Sequence, residues 1–581
     1  MALHPSPFMR TEERTRRLRL PSFPPFARLS RHVRSLPPSD KFIVLVLGVL
    51  IAIVSIMSLF ALMRHFQVVV PAHGGTLSEG VVGAPRFVNP LLATSDTDRD
   101  LVALTYAGLL GHDASGALVP VLAESYTVSD DGTQYTYTLR ANATFSDGTP
   151  VTSDDVVYTV QKTQDPGLKS PLLASWANIR AEAINARTVR FTLPKAYAPF
   201  LEDTTLGILP KHIWSDITNE EFPFSPYDAD PIGAGPFTVD SISRDGKGVI
   251  TSYSLSSFAG FATGSAYLAH IHLSFFEDQA ALKQALTSGA VQSAYGVAVK
   301  GAQVVPYARV FGVFFNPTQE PLLADVGVRK ALSLAIDRDA LVKNVLGGYA
   351  VATAGPLPAG SDVPPVPLPD PATHLDDAKA ALTAAGWSFD TDKDIWTKKD
   401  SELKLTLKTS NVPELKAVAA KVQADWQELG VPTELQLNDP NELTQSVIRP
   451  RAYGALLFGE VVGTNADLYA FWSGSAQKDP GLNIASYSDP AVDILLAKAR
   501  GEAEGAIKDA TLADIETRIA ADYPAAFLYT PDFVYSVPAG LHGVALTRVS
   551  APSDRFWDVD HWYLYTEHVW PFLLKKASYQ F

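Results

Sequence analysis

The chain has 581 residues, 46% hydrophobic and 19% charged, which describes a globular protein with apolar material for two or three domains or large lobes. It contains no cysteine, which excludes disulfides, thiol nucleophiles, cysteine-ligated zinc and a lipid-modified cysteine as surface anchor. The net charge of −14 is unevenly placed. The first 41 residues hold nine basic side chains against three acids, so the acidic excess falls on the remainder and argues against nucleic acid as a partner.

Residues 42–63 read FIVLVLGVLIAIVSIMSLFALM, with Lys41 and Arg64 at the edges and no charge between. As a helix this run spans about 33 Å, enough for the hydrocarbon core of a bilayer. It is apolar on every face, unlike a core helix. The basic segment 1–41 is read as a cytoplasmic tail, which leaves the C-terminal bulk outside. Val70 and Ala72 offer a signal-cleavage point as the alternative to an uncleaved anchor.

The rest reads as α/β. In 128–139 the Asp131-Gly132 turn precedes a strand in which Tyr135, Tyr137 and Leu139 alternate with polar residues. Residues 188–193 and 269–276 are further strands, and 278–288 has helical spacing ended by Gly289. One helix is expected over 324–346, stopped by Gly347-Gly348. A proline-rich loop at 355–371 follows, then amphipathic helices at 374–386 and 414–430 around a hairpin-like segment. Alternation continues to Tyr529, which suggests lobes built on mixed sheets.

Chemical motifs are sparse. Neither G-x-S-x-G nor H-E-x-x-H occurs. Asp154-Asp155 opens a helix, where acids complement the dipole. His270 and His272 share a strand face without a third ligand nearby in sequence. Asp390, Asp392 and Asp394 have calcium-loop spacing, but Ile395 and Ser401 stand where that loop needs glycine and glutamate. No cofactor or metal is expected.

Several segments in order resemble a known family. Leu118 to Ser125 (LVPVLAES) leads into SDDGTQYTYTLRANATFSDGTPVTSDDVVYTV at 129–160. Ile232 to Phe237 reads IGAGPF. Asn316 is followed by Asp325, Val328-Arg329-Lys330-Ala331-Leu332, Ala335-Ile336-Asp337-Arg338, Gly348 and Gly355-Pro356. Weaker echoes lie at 378–387 and 483–495. Over about residues 75–545 the chain resembles the extracytoplasmic solute-binding proteins of family 5, which serve peptide and nickel ABC importers.

The resemblance implies a two-lobed periplasmic-binding-protein-like α/β fold (type II, large peptide-binding class) after a single transmembrane helix. Lobe I would comprise 75–312 and 532–581, and lobe II 313–531, with crossings at Asn316 and at 529–534. It also implies a receptor, not an enzyme, that delivers a peptide or similar solute to ABC permease subunits. A sensor, chaperone or adhesion module on the same scaffold, and an anchored hydrolase, are the alternatives. In peptide-binding relatives an aspartate pairs with the peptide amino terminus. Here Glu460 stands where the family has tryptophan, that aspartate is out of register, and Asp467 matches a later family aspartate. The ligand-binding candidates are Glu460, Thr464, Asn465, Asp467, Trp472, Asn316, Phe315 and Tyr106. Plainer readings remain beside these: a helix cap for Asp467, a surface role for Glu460 and core packing for the aromatics.

Overall fold

The apolar run forms one helix, Pro38–His65, which begins on proline and is long and apolar enough to cross a membrane. The computed structural model describes residues 37–573 except 464, 480, 503 and 504, so most of the basic tail lies outside the described residues. The chain divides into two units, one holding residues up to Val70 and from Thr566, the other Pro71–Tyr565. In the first unit the helix is followed by the strand Val68–Ala72, which pairs with Tyr565–Val569.

The second unit is built on a twelve-stranded mixed sheet with two halves. One half orders the strands Ser293–Tyr295, Thr76–Val82, His270–Phe276, Ile250–Ser257 and Phe237–Arg244. The other orders Thr433–Asn438, Leu405–Ser410, Ala455–Val461 and Arg309–Phe315. The long strand Ala525–Ser536 belongs to both. Residues 525–529 pair with Arg309–Phe315, while 532–536 pair with Gln303–Pro306 and Ser293–Tyr295. The chain also passes from one half to the other between Pro306 and Arg309. The expected crossing at Asn316 is thereby displaced: Asn316 follows the far end of its strand, inside the second half.

The second half is covered on both faces, because successive apolar side chains of its strands point to opposite sides. Along Ala455–Val461, Ala455 and Leu457 enter one core with Leu332, Trp426 and Phe315, while Leu456 enters another with Phe314, Trp472 and Ile515. The first half packs Leu77, Tyr253, Leu273 and Trp562 together. A separate four-stranded sheet, Ala123–Val128, Gln134–Leu139, Thr188–Thr192 and Arg180–Asn185, has its own core around Tyr137, Phe191 and Phe200.

Most expected elements are present. The helix at 278–288 is Gln279–Ser288, with Asp278 as N-cap and Gly289 left-handed at φ 78°. The single helix expected over 324–346 is broken. Val326–Leu334 ends at Ala335, and the Asp337 carboxylate then caps a new short turn, Arg338–Ala340, before the π-helical Leu341–Val345. Arg338 enforces the break, since its buried guanidinium donates to the carbonyls of Ser333, Ile336, Thr353 and Phe527. The acids at 390–394 make a hairpin turn in which Asp390 accepts from the Asp392 and Lys393 amides.

Candidate functional site

A cavity of about 410 Å³ lies in the second unit. One wall is the helix Asp96–Thr105, started by a reciprocal cap between Ser95 and Asp98. Tyr106 to His112 and Glu202 to Gly207 form the opposite wall, and residues 550–560 close it. The glycines of the IGAGPF segment allow this approach. A Cβ on Gly233 would lie 2.0 Å from the Thr105 carbonyl oxygen, and the Gly235 amide donates to that oxygen at 2.9 Å.

The closing segment is held from behind by a buried ion network. Arg555 Nε meets Glu79 at 2.7 Å, and its two terminal nitrogens meet both oxygens of Asp100 at 2.7 Å, all fully buried. Tyr535 and Ser293 donate to the other Glu79 oxygen. The turn Pro552–Phe556 is thus tied to a strand and helix over 450 positions earlier in the chain. Two acids share one arginine, and burial outweighs its attraction at Asp100, whose carboxyl is pushed up to about 6.

The acidic and basic side chains lining the cavity are Arg99, His112, Glu202, Asp554 and Asp560, beside the Tyr106 phenol. His112 Nε2 lies 3.0 Å from Glu202, and its ring stacks on Trp557 at 4.1 Å. Burial raises Asp554 to about 6, against the amides of Ser550 and Ala551 that donate to it. Arg99 is paired with Asp96 at 2.9 Å. The lining is therefore acidic in balance and suited to a cationic group beside an aromatic surface. The cavity adjoins the passage between the sheet halves: Arg309 donates to the carbonyl of Ser550, and its guanidinium lies over the Tyr307 ring.

The sequence candidates are distributed differently. Among the described candidates only Tyr106 lines the cavity, where its buried ring also packs with Leu91 and Trp214. Phe315 and Trp472 are fully buried in two different cores. Asn316 is buried and donates to the carbonyl of Arg451 while its oxygen accepts from Thr318. Asp467 accepts from the Tyr469 amide, as the cap reading expects, and also binds Arg500 through both oxygens at 2.6–3.0 Å. Asn465 accepts from the Asp467 amide at 3.4 Å, and Thr464 lies outside the described residues. Glu460 is not at the surface but buried, and neither carboxyl oxygen meets a hydrogen-bond partner among the described residues. Desolvation alone raises its carboxyl well above the ordinary range. The cavity groups His112, Glu202, Asp554 and Trp557 escape sequence reading because none stands in a chemical motif, and the 550–560 segment lies past the recognisable stretch.

Residues 117–482 match the model of the bacterial extracellular solute-binding proteins, family 5. The chain belongs to this family. It is 25% identical over 516 residues to the oligopeptide-binding protein AppA of Bacillus subtilis, covering 85% of this chain and 92% of that protein. It is 26% identical over 470 residues to the glutathione-binding protein GsiB of Pectobacterium atrosepticum, covering 77% of this chain and 87% of that one. Among solved structures, the ABC transporter substrate-binding protein CtaP of Listeria monocytogenes is similar with a TM-score of 0.71 and 26% identity, over 85% of this chain and 99% of that one. The fold of this family 5 protein is accordingly the two-lobed, periplasmic-binding-protein-like architecture, and its two sheet halves joined by paired crossings fit that description.

Proposed function

We propose that this family 5 protein is a membrane-tethered receptor that captures a peptide-like solute outside the membrane and hands it to the permease subunits of an ABC importer. The observation that carries this reading is the acidic, aromatic-walled cavity beside the passage between the sheet halves, in a chain related to oligopeptide- and glutathione-binding proteins. A free amino terminus or a basic side chain of the solute would sit against Glu202 and Asp554, with the Trp557 ring alongside. Closure follows from the solute's higher affinity for the closed arrangement. The protein acts as a receptor and not as an enzyme. Pro38–His65 serves as its anchor, and the lobes divide near residues 307–309 and 531–532.

The test is thermal unfolding of the full-length protein in detergent against di- to octapeptides, N-acetylated versions of the same peptides, nickel chelates and oligosaccharides. Binding to the native state alone raises Tm by mass action. Free-amine peptides are expected to raise Tm, with acetylation or Glu202→Gln weakening the effect. No shift with any class would refute the reading. The mass of the native protein from its membranes tests the anchor, since cleavage after Ala72 would remove it.

A further inference from the structure

The helix Pro38–His65 passes almost at once into a strand. The Phe66 amide donates to the Met63 carbonyl and the Gln67 amide to that of Arg64, at 3.3 and 3.2 Å, so helical winding runs on to Gln67. At about 1.5 Å per residue, Val68 stands roughly 7 Å beyond Met63, where the apolar run ends. That is the depth of the headgroup layer, about 5–8 Å thick on each side of the hydrocarbon. Val68–Ala72 then pairs with Tyr565–Val569 in a sheet of two strands only. A Cβ on Gly74 would lie 3.3 Å from the Tyr565 ring, and one on Gly75 2.8 Å from Leu564. Tyr565 therefore stands at the Ala72 end of this ribbon, and Val569 beside Val68, next to the helix.

Two strands alone are marginal in water, since neither face of such a ribbon has anything to be buried against. Here Val68 and Val69 are 41% and 51% exposed, although successive side chains point to opposite faces. The chain leaves the ribbon through Trp570, Pro571 and Phe572. The Trp570 and Phe572 rings stack at 6.0 Å, and Phe572 is 79% exposed. Charged and polar groups are interleaved with them. Arg64, Glu567 and His568 are exposed, and Lys575 and Lys576 follow in sequence. Burying these groups in hydrocarbon would be costly. Aromatic rings mixed with charges beside the end of an apolar span suit the layer between hydrocarbon and water.

We propose that this ribbon, with Trp570 and Phe572, lies in the headgroup layer of the bilayer that Pro38–His65 crosses, as a second contact with lipid. The proposal rests on the reading of that helix as an uncleaved anchor, since cleavage after Ala72 would remove the strand Val68–Ala72 with it. Both chain connections into Pro71–Tyr565 run through the ribbon. Lipid thus holds the receptor through two segments, some 500 residues apart in sequence, instead of one.

Because the chain has no cysteine, Phe572→Cys, Val69→Cys, Leu50→Cys and Lys247→Cys can each carry one environment-sensitive fluorophore in the full-length protein in lipid nanodiscs. Leu50 lies within the apolar helix, and Lys247 on an exposed turn. Quenching is compared between lipids labelled near the headgroup and lipids labelled at the chain end. The probes at 572 and 69 are expected to be quenched more by the shallow label, the probe at 50 more by the deep label, and the probe at 247 by neither. Trp570→Ser with Phe572→Ser is expected to bring the probe at 69 to the level of the probe at 247. Probes at 572 and 69 that neither label quenches overturn the proposal, and protection of those probes from iodide would then mark a protein on the ribbon instead. Stronger quenching there by the deep label, or quenching at 69 that survives the double serine variant, also overturns it. While the probe at 50 is quenched by the deep label, each of these results leaves the anchor reading standing. A probe at 50 that neither label reaches overturns the anchor and the ribbon contact together.

Discussion

Replacing Glu460 by leucine removes a carboxyl that no described group hydrogen-bonds, from a position whose neighbours on the same face are Phe458 and Val462. In the unfolded chain this group titrates near 4.5; in the native protein, burial raises it well above that. The native state then holds a proton that the unfolded state releases. The group's full contribution is present below about pH 4.5 and is lost as pH rises toward the native value. The slope is about 1.4 kcal/mol per pH unit. From pH 5 to pH 7 the stability of Glu460→Leu relative to wild type should therefore rise by roughly 2–3 kcal/mol, for as long as the native carboxyl stays neutral. Urea unfolding of the full-length protein in detergent, followed by tryptophan fluorescence at pH 5, 6 and 7, measures this difference directly. Glu460→Gln should show the same pH behaviour with lower absolute stability, since its amide is left without partners. A wild-type-to-leucine gap that stays constant across pH would refute the reasoning, because it would mean that Glu460 is ionised and paired in the native state.

Arg555→Met should cost about 3–5 kcal/mol in the same assay, because it leaves Glu79 and Asp100 buried without their cation; a loss under 1 kcal/mol would show that the network is not the tie holding the cavity wall. Gly233→Ala should destabilise the protein and weaken solute binding together, since the added Cβ meets the Thr105 carbonyl at 2.0 Å and displaces the helix along the cavity. Trp472→Ala should cost about 3–5 kcal/mol as a core truncation, while the solute Kd of the protein that remains folded is unchanged; a selective loss of binding would return Trp472 to the ligand wall.

The apolar helix Pro38–His65 was legible because twenty-two uncharged residues in a row favour a helix that is apolar on every side. Strands such as Gln134–Leu139 and Thr188–Thr192 were legible through alternation, and Gln279–Ser288 through its aspartate cap and terminal glycine. The helix 324–346 misled because its apolar spacing continues past Ala335, while the break is enforced by Arg338 binding carbonyls as distant as Phe527. Asp467 shows both sides: its cap on Tyr469 is local and was anticipated, whereas Arg500, thirty-three residues on, could not be.

Sequence by itself determined the family, the α/β class and one helix long and apolar enough to cross a membrane, since each is written in local periodicity or in the order of short motifs. Tertiary structure alone decided which side chains share the cavity. His112, Glu202 and Trp557 come from segments up to 445 residues apart, brought together by Arg555 and the glycines of IGAGPF. It also decided that Glu460 is buried without a hydrogen-bond partner among the described residues: a strand's alternation says which side chains share a face, and only packing says whether that face meets water, a ligand or a core.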